Sequence, residues 1–389
     1  MKILHISLAA PYNDYWGYQD NLLPLYQHKL GHEVTIITTN LIHGKDGNIE
    51  EVKPNRYKLT NGINVIRCKK NKKKGIIINK IVEIFNYYNI YHLICEIQPD
   101  MIMVHGLVSV ITNQVVRYIK NNNPQCKLIG DNHLDDIITS LNKSKKAKFI
   151  GFLYRIMNYR WIKYYDKIYG VTPWRTEYAH SVFGIPYSKL DTLVMGADTE
   201  KINFSQQGII KQKIRNLYGI DLNNFVFISG GKLENNKKII ESMNAFKKIQ
   251  NINLKFIIFG SVSNEIKDDF NKLLASDNRF KYIGFIDSEK VYDLFLASDC
   301  GVFPGRHSVL WEQAVGSGLP CIFKKYVSDG YVNVGGNCIL LDNSTEEEIY
   351  DAMFKVCHND NYFINMKNVA QTKGIKEFSY YEIARKSLQ

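Results

Sequence analysis

The sequence predicts an α/β protein made of two doubly wound, parallel-sheet domains in series. Three observations carry this. Short apolar runs alternate with amphipathic stretches along nearly the whole chain. The alternation weakens once, near residues 197–223. A chain of 389 residues is also too long for one ordinary hydrophobic core. Apolar strands that alternate with helices form parallel sheets covered on both faces.

The first half offers strands at Ile3–Leu8, Glu33–Thr38, Asn64–Arg67, Met101–His105, Lys127–Gly130 and Lys167–Val171. Amphipathic stretches such as Gln19–Leu30 and Thr112–Lys120 lie between them. Ile3–Leu8 reads as a strand rather than a secretory leader, because His5 and Ser7 interrupt it and Asn13 and Asp14 follow. Polar Thr199–Gln207 and turn-like Gly219–Asn224 mark the expected linker. Further strands are expected at Phe225–Ser229, Lys255–Phe259, Lys281–Ile283, Cys300–Phe303, Pro320–Phe323 and Cys338–Leu341. This gives domains over 1–200 and 201–375, with ligands expected at the carboxyl ends of the strands.

Composition narrows the class. The chain is 45% hydrophobic and 23% charged with 9 prolines, which excludes disordered and collagen-like architectures. Its net charge of +12 points to an anionic partner: a phosphate-bearing ligand, an acidic membrane surface or nucleic acid. Seven scattered cysteines, none in a CxxC pair, read as reduced thiols of a cytoplasmic protein. No His/Cys spacing suits a metal, so none is expected. No run approaches the ~18 apolar residues that span a bilayer.

Two segments carry phosphate chemistry. In Phe227–Lys238 an expected strand ends in Gly230 and Gly231, then Lys232, with Lys237 at the start of a helix. Glycines let backbone approach a ligand, and a helix N-terminus favours an anion. The spacing is not that of a GxxxxGK[ST] loop, and solvated lysines on an ordinary turn are the alternative. In Phe303–Pro320, Ser308 and Val309 open a helix, and Glu312 follows among Leu310, Trp311, Ala314 and Val315. A carboxylate in such surroundings needs a partner, and ribose hydroxyls would supply one.

These segments, in this order, resemble the retaining GT-B glycosyltransferases, and glycosyltransferase family 4 most closely. The resemblance extends over nearly the whole chain. It takes in Pro99–Gly106, Gly130-Asp131-Asn132-His133, Val171-Thr172-Pro173, Gly184–Asp198, Gly231-Lys232-Leu233 with Lys237, Ser288–Asp299 and Phe378–Tyr381. It implies two Rossmann-like domains facing a cleft, with a C-terminal helix at 376–389 crossing back to the N-terminal domain. The family usually carries two glutamates separated by seven residues in the signature loop. Here the second is Glu312, and the first position falls on Pro304. His307 or Arg306 is the candidate to replace the missing contact with the donor sugar.

The resemblance implies transfer of a sugar from a nucleotide diphosphate sugar, a UDP-sugar being favoured, with retention and without a metal or cofactor. Lys232 and Lys237 would stabilise the leaving group, Glu312 would hold the ribose, and His133 would position the reacting sugar. Gly230, Gly231, Ile286, His307, Ser308 and Val309 complete the expected donor site. On the acceptor side, Tyr15, Trp16 and Gly17 lie in an aromatic loop, where packing alone is the alternative, and His105 ends a strand. The acceptor would be a glycan or a lipid-linked glycan of cell-surface polysaccharide or glycoconjugate synthesis. Lysine runs at 69–74 and 143–148, the second preceding an apolar and basic stretch, suggest attachment to an anionic membrane from the cytoplasmic side. Nucleic acid is not expected as a partner, because no binding module appears. A basic nucleic-acid-binding protein, an inactive GT-B partner subunit of another transferase, and a nucleotide-sugar epimerase of the same fold are the rival readings.

Overall fold

The computed structural model describes residues 1–44, 48–70, 88–107, 110–135, 145–326 and 330–389. Lys72, Lys73 and Lys74 of the first lysine run, and Lys143 of the second, lie outside the described residues. The chain divides into two compact units. One holds Met1–Val194 with Ala384–Gln389, the other Met195–Ile383.

The first unit contains β1 (Lys2–Ser7), β2 (Glu33–Thr39), β3 (Leu41–His43), β4 (Ile49–Glu51), β5 (Arg56–Lys58), β6 (Asn64–Cys68), β7 (Met101–His105), β8 (Lys127–Asn132), β9 (Lys167–Gly170) and β10 (Leu190–Thr192). Its main sheet runs β10-β9-β8-β7-β1-β2-β6-β5, with β3 and β4 paired separately. All pairings in the main sheet are parallel except β5 with β6. The central strands are buried from end to end because their residues are apolar on both faces. Leu4, Ile6, Ile102, Val104 and Leu128 pack there with Trp161 and Phe183 in one core.

The second unit contains β11 (Phe225–Leu233), β12 (Leu254–Val262), β13 (Phe280–Tyr282), β14 (Cys300–Phe303), β15 (Cys321–Lys324) and β16 (Cys338–Leu341). They form a parallel sheet ordered β13-β12-β11-β14-β15-β16. Its core is rich in phenylalanine: the Phe246 ring centroid lies 5.4 Å from that of Phe256 and 5.3 Å from that of Phe280. All seven cysteines are free thiols.

Two sequence expectations need correction. The stretch expected as a linker holds a regular helix, Gln207–Leu217. The polar Thr199–Gln207 and turn-like Gly219–Asn224 that marked the linker only bracket this helix, and within it Arg215 is fully buried, donating to Asp299 at 2.6 Å and to the carbonyls of Ala297 and Asn224. The short strands β3, β4, β5 and β10 were not expected. Each has three residues with at most one buried, so none shows an apolar run.

Candidate active site

Ligands of open α/β sheets gather at the carboxyl ends of the strands where strand order reverses. In the first sheet the reversal falls between β1 and β7, and in the second between β11 and β14. The residues singled out in the sequence flank these two points.

In the second unit, Gly230-Gly231-Lys232 lies at the end of β11 and Pro304–Val309 leads from β14 into the helix Leu310–Gly316. The fold brings the two segments together. Arg306 N–H donates to the Asn236 carbonyl at 2.8 Å, and Lys237 Nζ donates to the Arg306 carbonyl at 2.6 Å. Only a glycine allows this approach at 305, since a Cβ there would lie 2.4 Å from the Asn236 oxygen. Gly231 has φ +107, a conformation open to glycine and strained for other residues. Burial, aided by the nearby Arg306 guanidinium and opposed by Glu234, lowers the Lys237 pKa to about 8. Lys232 differs: it is exposed and ion-paired with Glu234 at 2.6 Å. Ser308 and Val309 stand at the start of the helix, half-buried, and Ile286 lies half-buried in the turn after β13.

Glu312 is fully buried. Its Oε1 accepts from Tyr331 Oη at 2.5 Å and lies 2.8 Å from His307 Nε2, while Tyr331 Oη lies 3.0 Å from the same nitrogen. Its Oε2 is buried with no hydrogen-bond partner among the described residues. A carboxylate oxygen in that state has a strong incentive to receive donors from a ligand. His307 therefore turns inward to Glu312, and its backbone N–H donates to Tyr326 Oη at 3.0 Å. Tyr331 was not anticipated. It sits in a loop pinned by buried Asn337, which accepts from Val334 N–H at 2.7 Å and donates to the Val332 carbonyl at 2.9 Å. The only signal was a tyrosine in a glycine-rich connection, Gly330–Asn337.

In the first unit, the ends of β1, β7 and β8 bring His5, His105, Asp131 and His133 together. Asp131 is fully buried. Its Oδ2 lies 2.6 Å from His105 Nδ1 and 3.4 Å from His133 Nε2, and its Oδ1 accepts from Gly106 N–H at 2.8 Å. Burial alone would raise the Asp131 pKa, but His105 and His133 hold it well below the usual carboxylate range. His105 was expected to face an acceptor. It is instead buried, with both ring nitrogens committed to protein partners, Asp131 and His5. His133 keeps 37% of its side chain exposed, while its Nε2 is buried toward Asp131. Among the described residues Asp20, His105 and His133 come nearest to a metal-ligand grouping, their candidate atoms lying within 4.8 Å of one another. The hydrogen bonds at both nitrogens of His105 compete with that use.

The aromatic loop is ordered by local contacts. Tyr15 Oη is hydrogen-bonded to Thr60, and Trp16 stacks on His43 with centroids 5.3 Å apart. Gly17 follows, half-buried. Beside this loop a pocket of about 490 Å³ is lined by Asn13, Asp14, Lys53, Asn55, Tyr57 and Arg67. Arg67 and Asp14 are ion-paired there at 3.1 Å.

Residues 210–373 match the family model of glycosyl transferases group 1. A search of curated proteins by sequence found no match. Among solved structures, sucrose-phosphate synthase from Thermosynechococcus elongatus is similar at 12% identity and TM-score 0.68, covering 100% of this chain and 97% of that one. HepE from Anabaena, solved with UDP and glucose, is similar at 15% identity and TM-score 0.64, covering 100% and 98%. WaaG, a glycosyltransferase involved in lipopolysaccharide biosynthesis, is similar at 12% identity and TM-score 0.61, covering 100% and 98%. Sheets of this topology along the full chain identify a GT-B fold, and the match to the glycosyl transferases group 1 model lies over the glycine–lysine turn and the Glu312 loop of the second unit.

Proposed function

We propose that the protein is a retaining, metal-independent glycosyltransferase that takes its sugar from a UDP-sugar. It passes the sugar to a glycan or lipid-linked glycan used in cell-surface polysaccharide or glycoconjugate synthesis. The observation that carries the reading is the buried Oε2 of Glu312, without a hydrogen-bond partner among the described residues, at the end of the loop that Arg306 ties to Asn236 and Lys237. A carboxylate with one oxygen held by His307 and Tyr331, and the other open, is prepared to accept ribose hydroxyls. Lys237, with the amides of Ser308 and Val309, would carry the charge of the diphosphate as the glycosidic bond breaks. HepE was solved with UDP and glucose and WaaG is involved in lipopolysaccharide biosynthesis, which supports the reading by analogy of fold.

The test is a thermal-shift and calorimetric screen with nucleoside diphosphates and their sugars, comparing the protein with Glu312→Gln. UDP should raise Tm by several degrees at saturation. The variant should lose about 1.5–3 kcal/mol of UDP binding, tenfold to about 150-fold in affinity. Its unliganded melting temperature serves as the folding control. No stabilisation by any nucleoside diphosphate would sink the reading.

The surface reading extends to membranes. In the helix Lys145–Trp161, Phe149, Phe152, Ile156 and Tyr159 are all exposed, at 60%, 56%, 48% and 82%. At 100° per residue they fall on one stripe. Exposed Lys145, Lys148 and Arg160 flank it, and no Asp or Glu occurs between Asp136 and Asp166. An apolar stripe with only basic flanks fits an anionic lipid surface, with the protein on its cytoplasmic side.

A further inference from the structure

We propose that His105 is a fixed imidazolium that positions the Asp131 carboxylate and keeps His133 neutral, with His133 Nδ1 left to accept a hydrogen bond from a substrate hydroxyl. The assignment of a substrate rests on the transferase reading above. The assignment of protons does not.

The protons are placed by a chain of hydrogen bonds that begins at the C-terminus. Ser387 Oγ donates to the Ala384 carbonyl at 2.7 Å, so it accepts from Gln27 Nε2 at 2.9 Å. This orients the Gln27 amide with Oε1 toward His5 Nε2, 2.6 Å away. An amide oxygen only accepts, so His5 carries its proton on Nε2. His5 is fully buried, and among the described residues its ring nitrogens meet His105 and Gln27 rather than a carboxylate. It is therefore neutral, and its Nδ1 presents a lone pair. His105 Nε2 lies 3.0 Å from that lone pair and must be the donor. His105 Nδ1 lies 2.6 Å from Asp131 Oδ2 and donates there as well. A histidine that donates from both nitrogens is charged.

The surroundings favour that charge on His105 rather than on His5. The groups that face it are His5 from β1, Asp20 from the helix Gln19–Lys29, and Asp131 and His133 at the end of β8. Tyr165, before β9, faces Asp131. Burial opposes a charged His105, but the Asp131 and Asp20 carboxylates outweigh it and raise its pKa to about 9. Burial and the neighbouring His105 lower the His5 pKa to about 3.

The consequence falls on His133. Its Nε2 is buried 3.4 Å from the same Oδ2, outside hydrogen-bond geometry and with no other partner among the described residues; a proton on that nitrogen faces the carboxylate and leaves Nδ1 as the acceptor. Asp131 alone would draw a second proton onto His133 and turn the acceptor into a donor. The imidazolium at His105 balances Asp131 and prevents this. His105 is a positioning residue: it acts on substrate only through Asp131 and His133.

Imidazole ¹⁵N–¹H spectra of the full chain at pH 7.5 test the assignment without any ligand. The expected pattern is two protonated nitrogens on His105, an Nε2–H on His5, and an Nε2–H on neutral His133. A neutral His105, or a His133 protonated at Nδ1, overturns the proposal. In His105→Gln, which keeps a hydrogen-bonding side chain but no charge, the spectra at pH 7.5 should show His133 gaining a proton on Nδ1. The acid limb of kcat/KM should move to higher pH, which a merely structural role would not produce. An unchanged His133 proton pattern in a folded variant overturns the proposal. The wild-type spectra decide the matter if that variant fails to fold. The expected proton pattern in a protein that transfers sugar from no nucleotide sugar refutes the transferase reading and supports the assignment. Transfer by a protein whose His105 is neutral at pH 7.5 refutes the assignment alone.

Discussion

The Lys237 ammonium ties the turn after β11 to the loop after β14 through the Arg306 carbonyl, and burial leaves its pKa near 8. A lysine so placed is partly deprotonated at mildly alkaline pH. A diphosphate beside it would favour the charged form and raise the pKa again. Binding of UDP should then be accompanied by proton uptake. Its affinity should fall as pH rises above about 8, by at most tenfold per pH unit, until the bound-state pKa is reached. Calorimetry from pH 7 to 9.5 in buffers of different ionisation enthalpy would read both effects. Lys237→Ala should abolish the pH dependence and lower kcat by on the order of 100-fold. Binding that stays constant across this range in the wild-type protein would remove Lys237 from the diphosphate site.

The helix Lys145–Trp161 shows how one element serves two solvents. Its inner side is anchored: Trp161 Nε1 donates to Asn113 at 2.7 Å, Asn158 is buried, and Tyr154 meets the edge of Phe183. Its outer side carries the aromatic stripe. Basic residues near an anionic bilayer contribute about 1 kcal/mol each. The triple variant Lys145→Gln, Lys148→Gln, Arg160→Gln should therefore lose about two orders of magnitude in partition to anionic liposomes, with little change in Tm. Equal flotation of variant and wild type would count against the membrane reading. This helix also marks what the sequence could convey. Its mixture of apolar and basic residues was visible, but the sidedness was not, since it depends on which residues the core takes. The central strands were legible because buried parallel strands are apolar throughout. The helix Gln207–Leu217 was hidden by its charges. The glycine–lysine turn and Glu312 could be found because each lies within one short segment. The His5–His105 contact joins residues 100 positions apart, and Tyr331 reaches Glu312 across 19, so neither shows in local spacing.

At the scale of the whole molecule, each unit has its own core and its own handle. The first core surrounds the His5–His105–Asp131 chain, and the second lies under the Gly231–Lys237 turn. The +12 charge is not explained by the two lysines of the glycine–lysine turn, and part of it lies on the helix Lys145–Trp161 of the first unit. The two handles predict distinct stability responses. His105 titrates near 9 when folded, above its ordinary value of 6.5, so its contribution is complete below pH 6.5 and disappears as pH rises through 9. His5 titrates near 3 when folded, so stability is lost as pH falls from 6.5 toward 3, where only the unfolded chain takes up the proton. Both effects belong to Met1–Val194 with Ala384–Gln389. The buried thiols of Cys300, Cys321 and Cys338 in the second unit begin to matter only near pH 9, where the unfolded thiol ionises. Between pH 6.5 and about 8.5, calorimetry should therefore show a falling transition for the first unit, while that of the second holds and then rises slightly as Lys237 gives up its proton in the folded state alone. Saturating UDP should identify the second by raising it. If the transition that UDP raises is the one that falls with pH, the buried imidazolium does not stabilise the unit in which it lies.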